Sequence, residues 1–225
     1  RHGALSPFDE AALEIALALR DADPAVRITA LVAADEALTR RVAGWRPDAI
    51  SRLDLGAVPR WDGHAVAGAL AQALDALVPA ATLVLVGREF GDFDDGTVPA
   101  ALAHGIDALF LPLVLGLRSA QEGLWALRQT ASGLERALLA PRALLSATND
   151  TGNRLRHPLM KNVMLAKKAV LPAWTAAAPQ GDTGLALQAA GFAAPPPRRA
   201  DCQWLEGTAA EKADALAAVL LAARA

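Results

Sequence analysis

Ala81-Thr82-Leu83-Val84-Leu85-Val86, followed by Gly87-Arg88-Glu89-Phe90-Gly91-Asp92-Phe93-Asp94-Asp95-Gly96-Thr97-Val98-Pro99, is the stretch from which the fold is read. Residues 81–86 form an uninterrupted, largely β-branched apolar run, which suits a strand buried on both faces. The polar, glycine-bearing loop after it leads into a helix expected from about 97 to 103. Strand, loop and helix in that order are one step of a parallel α/β sheet. The same alternation continues upstream. Ser6-Pro7-Phe8-Asp9 reads as a helix start, with Ser6 capping and Pro7 at the first helical position. Ala12, Ile15, Ala16 and Leu19 then recur at helical spacing, up to the break Asp21-Ala22-Asp23-Pro24. Strands are expected at 28–32 and 50–55, and helices at 35–44 and 64–78. Doubly wound sheets open on a strand, and here the first recognisable element is a helix, so a further strand is expected upstream of Arg1.

Beyond residue 105 the rhythm changes. Residues 109–117, 124–130 and 134–146 read as three strands joined by short turns, an antiparallel extension of the sheet. Residues 172–199, with Pro195-Pro196-Pro197, read as an extended arm, and 209–223 as a closing helix. The expected architecture is a Rossmann-like, doubly wound parallel sheet with an antiparallel extension. The α/β domain would span 1–170, and 171–225 would form the C-terminal arm and helix.

Composition narrows the function. The chain has 225 residues, 53% of them hydrophobic, and 22 Lys and Arg against 24 Asp and Glu. A net charge of −2 excludes the basic footprint of a nucleic-acid binder. One cysteine, Cys202, excludes a disulfide framework and a cysteine-built metal site. The apolar stretch 108–117 is interrupted by Pro112 and falls short of the roughly 18 residues that a membrane helix needs. The chain is therefore expected to be soluble and intracellular.

The loop 87–99 sits where open parallel sheets bind ligands, beyond the carboxyl end of a strand. Glycines allow close backbone approach, and the following helix N-terminus suits a phosphate. Its four carboxylates oppose that reading, and Asp94 and Asp95 acting as simple helix caps is an equal alternative. An EF-hand fails on spacing: Gly96 comes one place too early, and Ala103 stands where the terminal Glu is needed. No P-loop string and no GxGxxG turn is present. A second cluster lies near 160. Both Met residues, Met160 and Met164, and three Lys, Lys161, Lys167 and Lys168, fall together there. Met beside Lys suits an adaptable surface that steers acidic partners; the alternative is a core-facing Met pair on an ordinary helix.

Together these segments resemble the β subunit of electron transfer flavoproteins over essentially the whole chain. Ser6-Pro7-Phe8-Asp9-Glu10 is similar to that family's Asn-Pro-Phe-Asp-Glu. Residues 87–99 resemble its Gly-Arg-Gln-Ala-Ile-Asp-Gly-Asp-Thr-Gly-Gln-Val-Pro without a gap. Leu155-Arg156-His157-Pro158-Leu159-Met160, running on to Ala166-Lys167-Lys168, is similar to its Pro-Arg-Tyr-Pro-Ser-Leu…Lys-Ala-Lys-Lys. The sequence departs from the family at Ser6 for Asn, at Phe90-Gly91 for Ala-Ile and at Phe93 for Gly. In 128–135 the acid of Arg-x-x-Asp-Gly-Gly-x-Glu is missing.

The resemblance implies a subunit that pairs with an α subunit and carries electrons on FAD from acyl-CoA or other flavin dehydrogenases to an acceptor such as a quinone oxidoreductase. FAD is then held mainly by the α subunit. AMP, or a second FAD in electron-bifurcating members, occupies the β pocket. The matching pocket positions are Ser6, Pro7, Phe8, Asp9, Ala33, Arg88, Glu89, Phe90, Gly91, Asp92, Phe93, Asp94, Asp95, Gly96, Thr97, Val98 and Pro99. The partner-facing positions are Leu159, Met160, Met164, Lys167 and Lys168, with Arg128 a candidate for the subunit interface or flavin edge. Such a subunit has no catalytic residue and no metal, and works in the bacterial cytoplasm or the mitochondrial matrix. A stand-alone nucleotide hydrolase or ligase is the rival of another class; it would need a base near the loop, where His104 is the nearest His. A structural adaptor with an empty pocket is a third.

Overall fold

Strand β3 (Leu83–Gly87) puts Leu83 and Leu85 on one face and Val84 and Val86 on the other, and each face meets a different helical layer. In this computed structural model, which describes residues 4–56, 58–89, 96–177 and 204–222, that alternation organises the sheet. Helix α1 (Pro7–Ala22) covers the first face, packing Ala11, Ala12 and Ile15 on Leu83, Leu85 and Leu145. Helices α3 (Gly63–Leu77) and α4 (Thr97–Gly105) cover the second, packing Ala67, Leu102 and Ala103 on Val84, Val86 and Leu144. Helices on both faces of parallel strands make this a doubly wound, Rossmann-like α/β fold.

The remaining strands are β1 (Thr29–Val32), β2 (Ala49–Asp54), β4 (Leu109–Ala120), β5 (Gly123–Thr130), β6 (Gly133–Leu138), β7 (Ala143–Ala147) and β8 (Ala173–Thr175). Helices α2 (Glu36–Ala43) and α5 (Met160–Ala166) complete the first of two compact units, Arg1–Gly184. The strands form two sheets, in the order β1-β2-β8 and β3-β7-β4-β5-β6. The first is wholly parallel. In the second, β7 lies parallel between β3 and β4, while β5 and β6 continue as an antiparallel ribbon from the far half of β4. The second unit, Leu185–Ala225, contains helix α6 (Ala209–Ala222), which has no buried residue.

One expected strand divides. Residues 134–146 are two strands, because Pro141 interrupts the run and the two halves take different partners: β6 pairs antiparallel with β5, and β7 parallel with β3. All five β7 residues are buried, as befits a strand flanked on both edges and both faces. The antiparallel extension is correspondingly smaller than expected, since the first half of β4 also pairs parallel with β7. Residues 173–175, expected in the arm, pair with β2 as β8. Among the described residues no helix is long and apolar enough to cross a membrane.

Candidate functional site

Three separate segments meet at the carboxyl end of β3. The first is the start of α1. The Ser6 hydroxyl accepts from the Asp9 amide at 3.0 Å and donates to Asp9 Oδ2 at 2.8 Å, so the turn is closed by reciprocal bonds. The second is Gly87-Arg88. A Cβ on Gly87 would sit 2.6 Å from Asp9 Oδ1 and 3.0 Å from the Asp9 nitrogen, so only glycine allows the strand end to press on the helix start. Arg88 continues the strand by donating its amide to Ala147 O at 3.1 Å. Its guanidinium lies 4.5 Å over the Phe8 ring and 3.2 Å from Glu89.

The third segment is the start of α4. Gly96 is its N-cap, in the left-handed conformation at φ 65°, and as a glycine it brings no capping side chain of its own. Val98 packs in the same cluster as Ala33, beyond the end of β1, together with Val58 and Val66 of α3. Of the residues expected to form a nucleotide pocket, Ser6, Pro7, Phe8, Asp9, Ala33, Arg88, Glu89, Gly96, Thr97, Val98 and Pro99 are described. Phe90, Gly91, Asp92, Phe93, Asp94 and Asp95 lie outside the described residues.

Beside these segments is a cavity of about 290 Å³, lined by Arg88, Gly96, Pro99, Phe110, Leu113 and Ser146 among others. Ser146 and Leu113 have no local sequence signal. Ser146 enters the site because β7 ends beside β3. Leu113 enters at a bulge in β4, where the register shifts between Leu111 and Val114 and its φ reaches 58°. A non-glycine residue in that region is uncommon and signals local strain. A guanidinium and a hydroxyl on one cavity, beside the start of a helix, suit an anionic group such as a phosphate.

The second cluster is on the surface. Leu159 is 68% and Met160 74% exposed, and Met164, Lys161, Lys167 and Lys168 are exposed as well. This removes the core-facing alternative for the Met pair. The turn carrying them is held by groups that the sequence reading did not single out. Arg156 grips Glu14, with Nη2 at 2.6 Å from Oε1 and its backbone amide 3.0 Å from Oε2, and also bonds Asp21. These two acids push the Arg156 pKa up. Trp45 Nε1 donates to Arg156 O at 2.7 Å. Arg40 Nη1 donates to the carbonyls of Ala166, Lys167 and Ala169 at 2.9, 2.9 and 3.1 Å, satisfying the end of α5. A cavity of about 310 Å³ remains beneath the turn, bordered by Glu10, Arg41, Trp45, Arg154 and His157.

Arg128 is engaged elsewhere. It sits directly opposite Glu135 on the β5–β6 ribbon and bonds it through Nε at 3.1 Å and Nη2 at 2.8 Å.

A model of the electron transfer flavoprotein domain matches residues 1–179. No individual curated protein matches the chain. With a match spanning most of the sequence and a doubly wound α/β fold beneath it, the chain belongs to the electron transfer flavoprotein family.

Proposed function

We propose that this chain is the β-type subunit of an electron transfer flavoprotein heterodimer, and that its own pocket at the end of β3 holds AMP. Members of the family carry electrons on flavin rather than turning over a substrate, in company with other subunits and with dehydrogenases. The observation that carries the AMP reading is the approach of the Ser6–Asp9 turn to Gly87, with Arg88 and the Gly96 start of α4 lining one cavity. The α4 amides and helix dipole would meet the nucleotide phosphate, and Arg88 would add positive charge. AMP bound there would link α1, β3 and α4 and so favour only the folded state. FAD, held chiefly by the α subunit in this reading, would supply the redox chemistry.

This chain would also present the docking surface for the electron donor. Leu159, Met160 and Met164 offer exposed apolar side chains, and Lys161, Lys167 and Lys168 surround them with positive charge. Such a surface suits an apolar recess with an acidic rim on a flavin dehydrogenase. Arg128, carried with Glu135 on the ribbon, is the remaining proposed partner contact.

The test is to purify the chain together with its α subunit, denature the complex, and identify the released nucleotides by mass spectrometry. One FAD and one AMP per heterodimer is the expected result. Two FAD would indicate the electron-bifurcating form, and neither nucleotide a structural adaptor. ATP turnover by the chain alone would replace the carrier reading with that of a nucleotide-dependent enzyme.

A further inference from the structure

We infer that Arg40, Trp45 and Arg156 are positioning residues that hold the apolar turn at 157–165 preformed for docking; this rests on the reading above, in which that turn meets a dehydrogenase. The turn is clamped at both ends. At residue 156 the grip is double, since the guanidinium and backbone amide meet Glu14 while the carbonyl accepts from Trp45. At 166–169 one guanidinium gathers three carbonyls, and Glu36 orients it from the same helix. Between the clamps, the turn packs beside Gly44, where an added Cβ would make ordinary contacts at 3.6 Å with Pro158 Cβ and 3.7 Å with Val163 Cγ2.

The hydrogen bonds that hold the turn come from Glu14 and Asp21 of α1, Arg40 of α2 and Trp45 just after it, whereas the residues it displays, Leu159 and Met160, are apolar and face solvent. An exposed apolar turn gains nothing in the free protein from being held in one shape. A partner gains directly, because a turn already ordered loses less conformational freedom on binding. Glu14 is only 13% exposed, whereas Arg156 is 42% exposed, so salt screens this end of the clamp in part. The four guanidiniums around the cavity beneath the turn do not make it an anion site. Glu10 lines it, Arg40 is paired with Glu36, and Arg156 is paired with Glu14 and Asp21.

The experiment uses the flavin-loaded heterodimer, with an acyl-CoA dehydrogenase and its acyl-CoA as electron donor. Three variants are compared: Trp45→Phe, which keeps an aromatic ring and loses the indole N–H; Arg156→Gln; and Met160→Lys. Amide hydrogen exchange is measured over 157–166, and KM for the dehydrogenase is separated from kcat. Trp45→Phe and Arg156→Gln are expected to speed exchange in that segment and to raise KM about tenfold at unchanged kcat. Met160→Lys is expected to raise KM without changing exchange. Unchanged exchange in both clamp variants overturns the inference. So does faster exchange at the parental KM, provided Met160→Lys raises it. If Met160→Lys leaves KM unaltered, the docking reading itself fails, and with it any role for the clamps in binding.

Discussion

At Gly87 the end of β3 touches the first turn of α1 so closely that an added methyl group would meet the Asp9 nitrogen at 3.0 Å. A backbone atom cannot rotate away as a side chain can, so the helix start must shift. Gly87→Ala is expected to lower stability by about 1–3 kcal/mol, read from urea unfolding, and to weaken nucleotide retention along with it. A variant as stable as the parent would mean that the contact is slack. Asp48 gives a prediction with a sign. Its Oδ2 accepts from the Ile28 amide at 2.8 Å, and that bond, aided by Arg27 and Arg20, holds the carboxyl below its ordinary value of 3.8. A depressed pKa stabilises the fold above the unfolded-state value, and that contribution disappears as pH falls through the folded one. The Asp48 side chain is 39% exposed, so solvent screening discounts the effect, and Asp48→Ala should cost about 0.5 kcal/mol at neutral pH. Its melting curve should converge on that of the parent as pH drops below 3.8; a gap that persists in acid would assign the effect to packing. The Ser6 cap was legible from the sequence because capping is local. Asp48 was not, since its partners Ile28 and Arg20 become neighbours only when β1 and α1 are in place.

Among elements, β7 and β3 make an instructive pair. Both are short apolar strands, yet β7 is fully buried while Leu83 to Val86 of β3 are only half-buried. The difference is neighbours: among the described residues β7 is flanked on both edges, whereas β3, like β1, ends its sheet. Apolar parallel strands with an unpaired edge invite association. The isolated chain is expected to gain mass with concentration in sedimentation across the micromolar range; a monodisperse monomer throughout would show those edges to be protected. The junction of β4 and β7 depends on one buried amide. Asn153, 3% exposed, donates to Leu115 O at 3.0 Å and Thr148 O at 2.9 Å, and accepts from the Asp150 amide at 2.7 Å. Asn153→Leu leaves those backbone groups unpaired and should cost about 3 kcal/mol in denaturant unfolding. A smaller loss would mean that water replaces the amide. The division of 134–146 into β6 and β7 belongs to the same scale, because strand pairing rather than composition set where each half ends.

For the molecule as a whole, a net charge of −2 coexists with a local patch of Lys161, Lys167 and Lys168 around the Met160 turn. Steering by exposed charge weakens as salt shortens the Debye length, to about 8 Å at physiological ionic strength. The KM for an electron donor should therefore rise with added salt, and replacing the three lysines with serine should flatten that dependence while leaving kcat in place. A slope unchanged by the triple variant would locate the steering elsewhere. By itself the sequence determined the doubly wound class and the alternation of elements as far as α4, because hydrophobic period and caps act over a few residues. Only the tertiary structure decided which distant groups meet. Trp45 reaches Arg156 across 111 residues, Arg40 reaches Ala166 across 126 and Arg156 reaches Glu14 across 142. No local pattern encodes such partners, since a hydrogen bond depends on where two side chains end up in space, and that is fixed only when the helices have packed on the sheet.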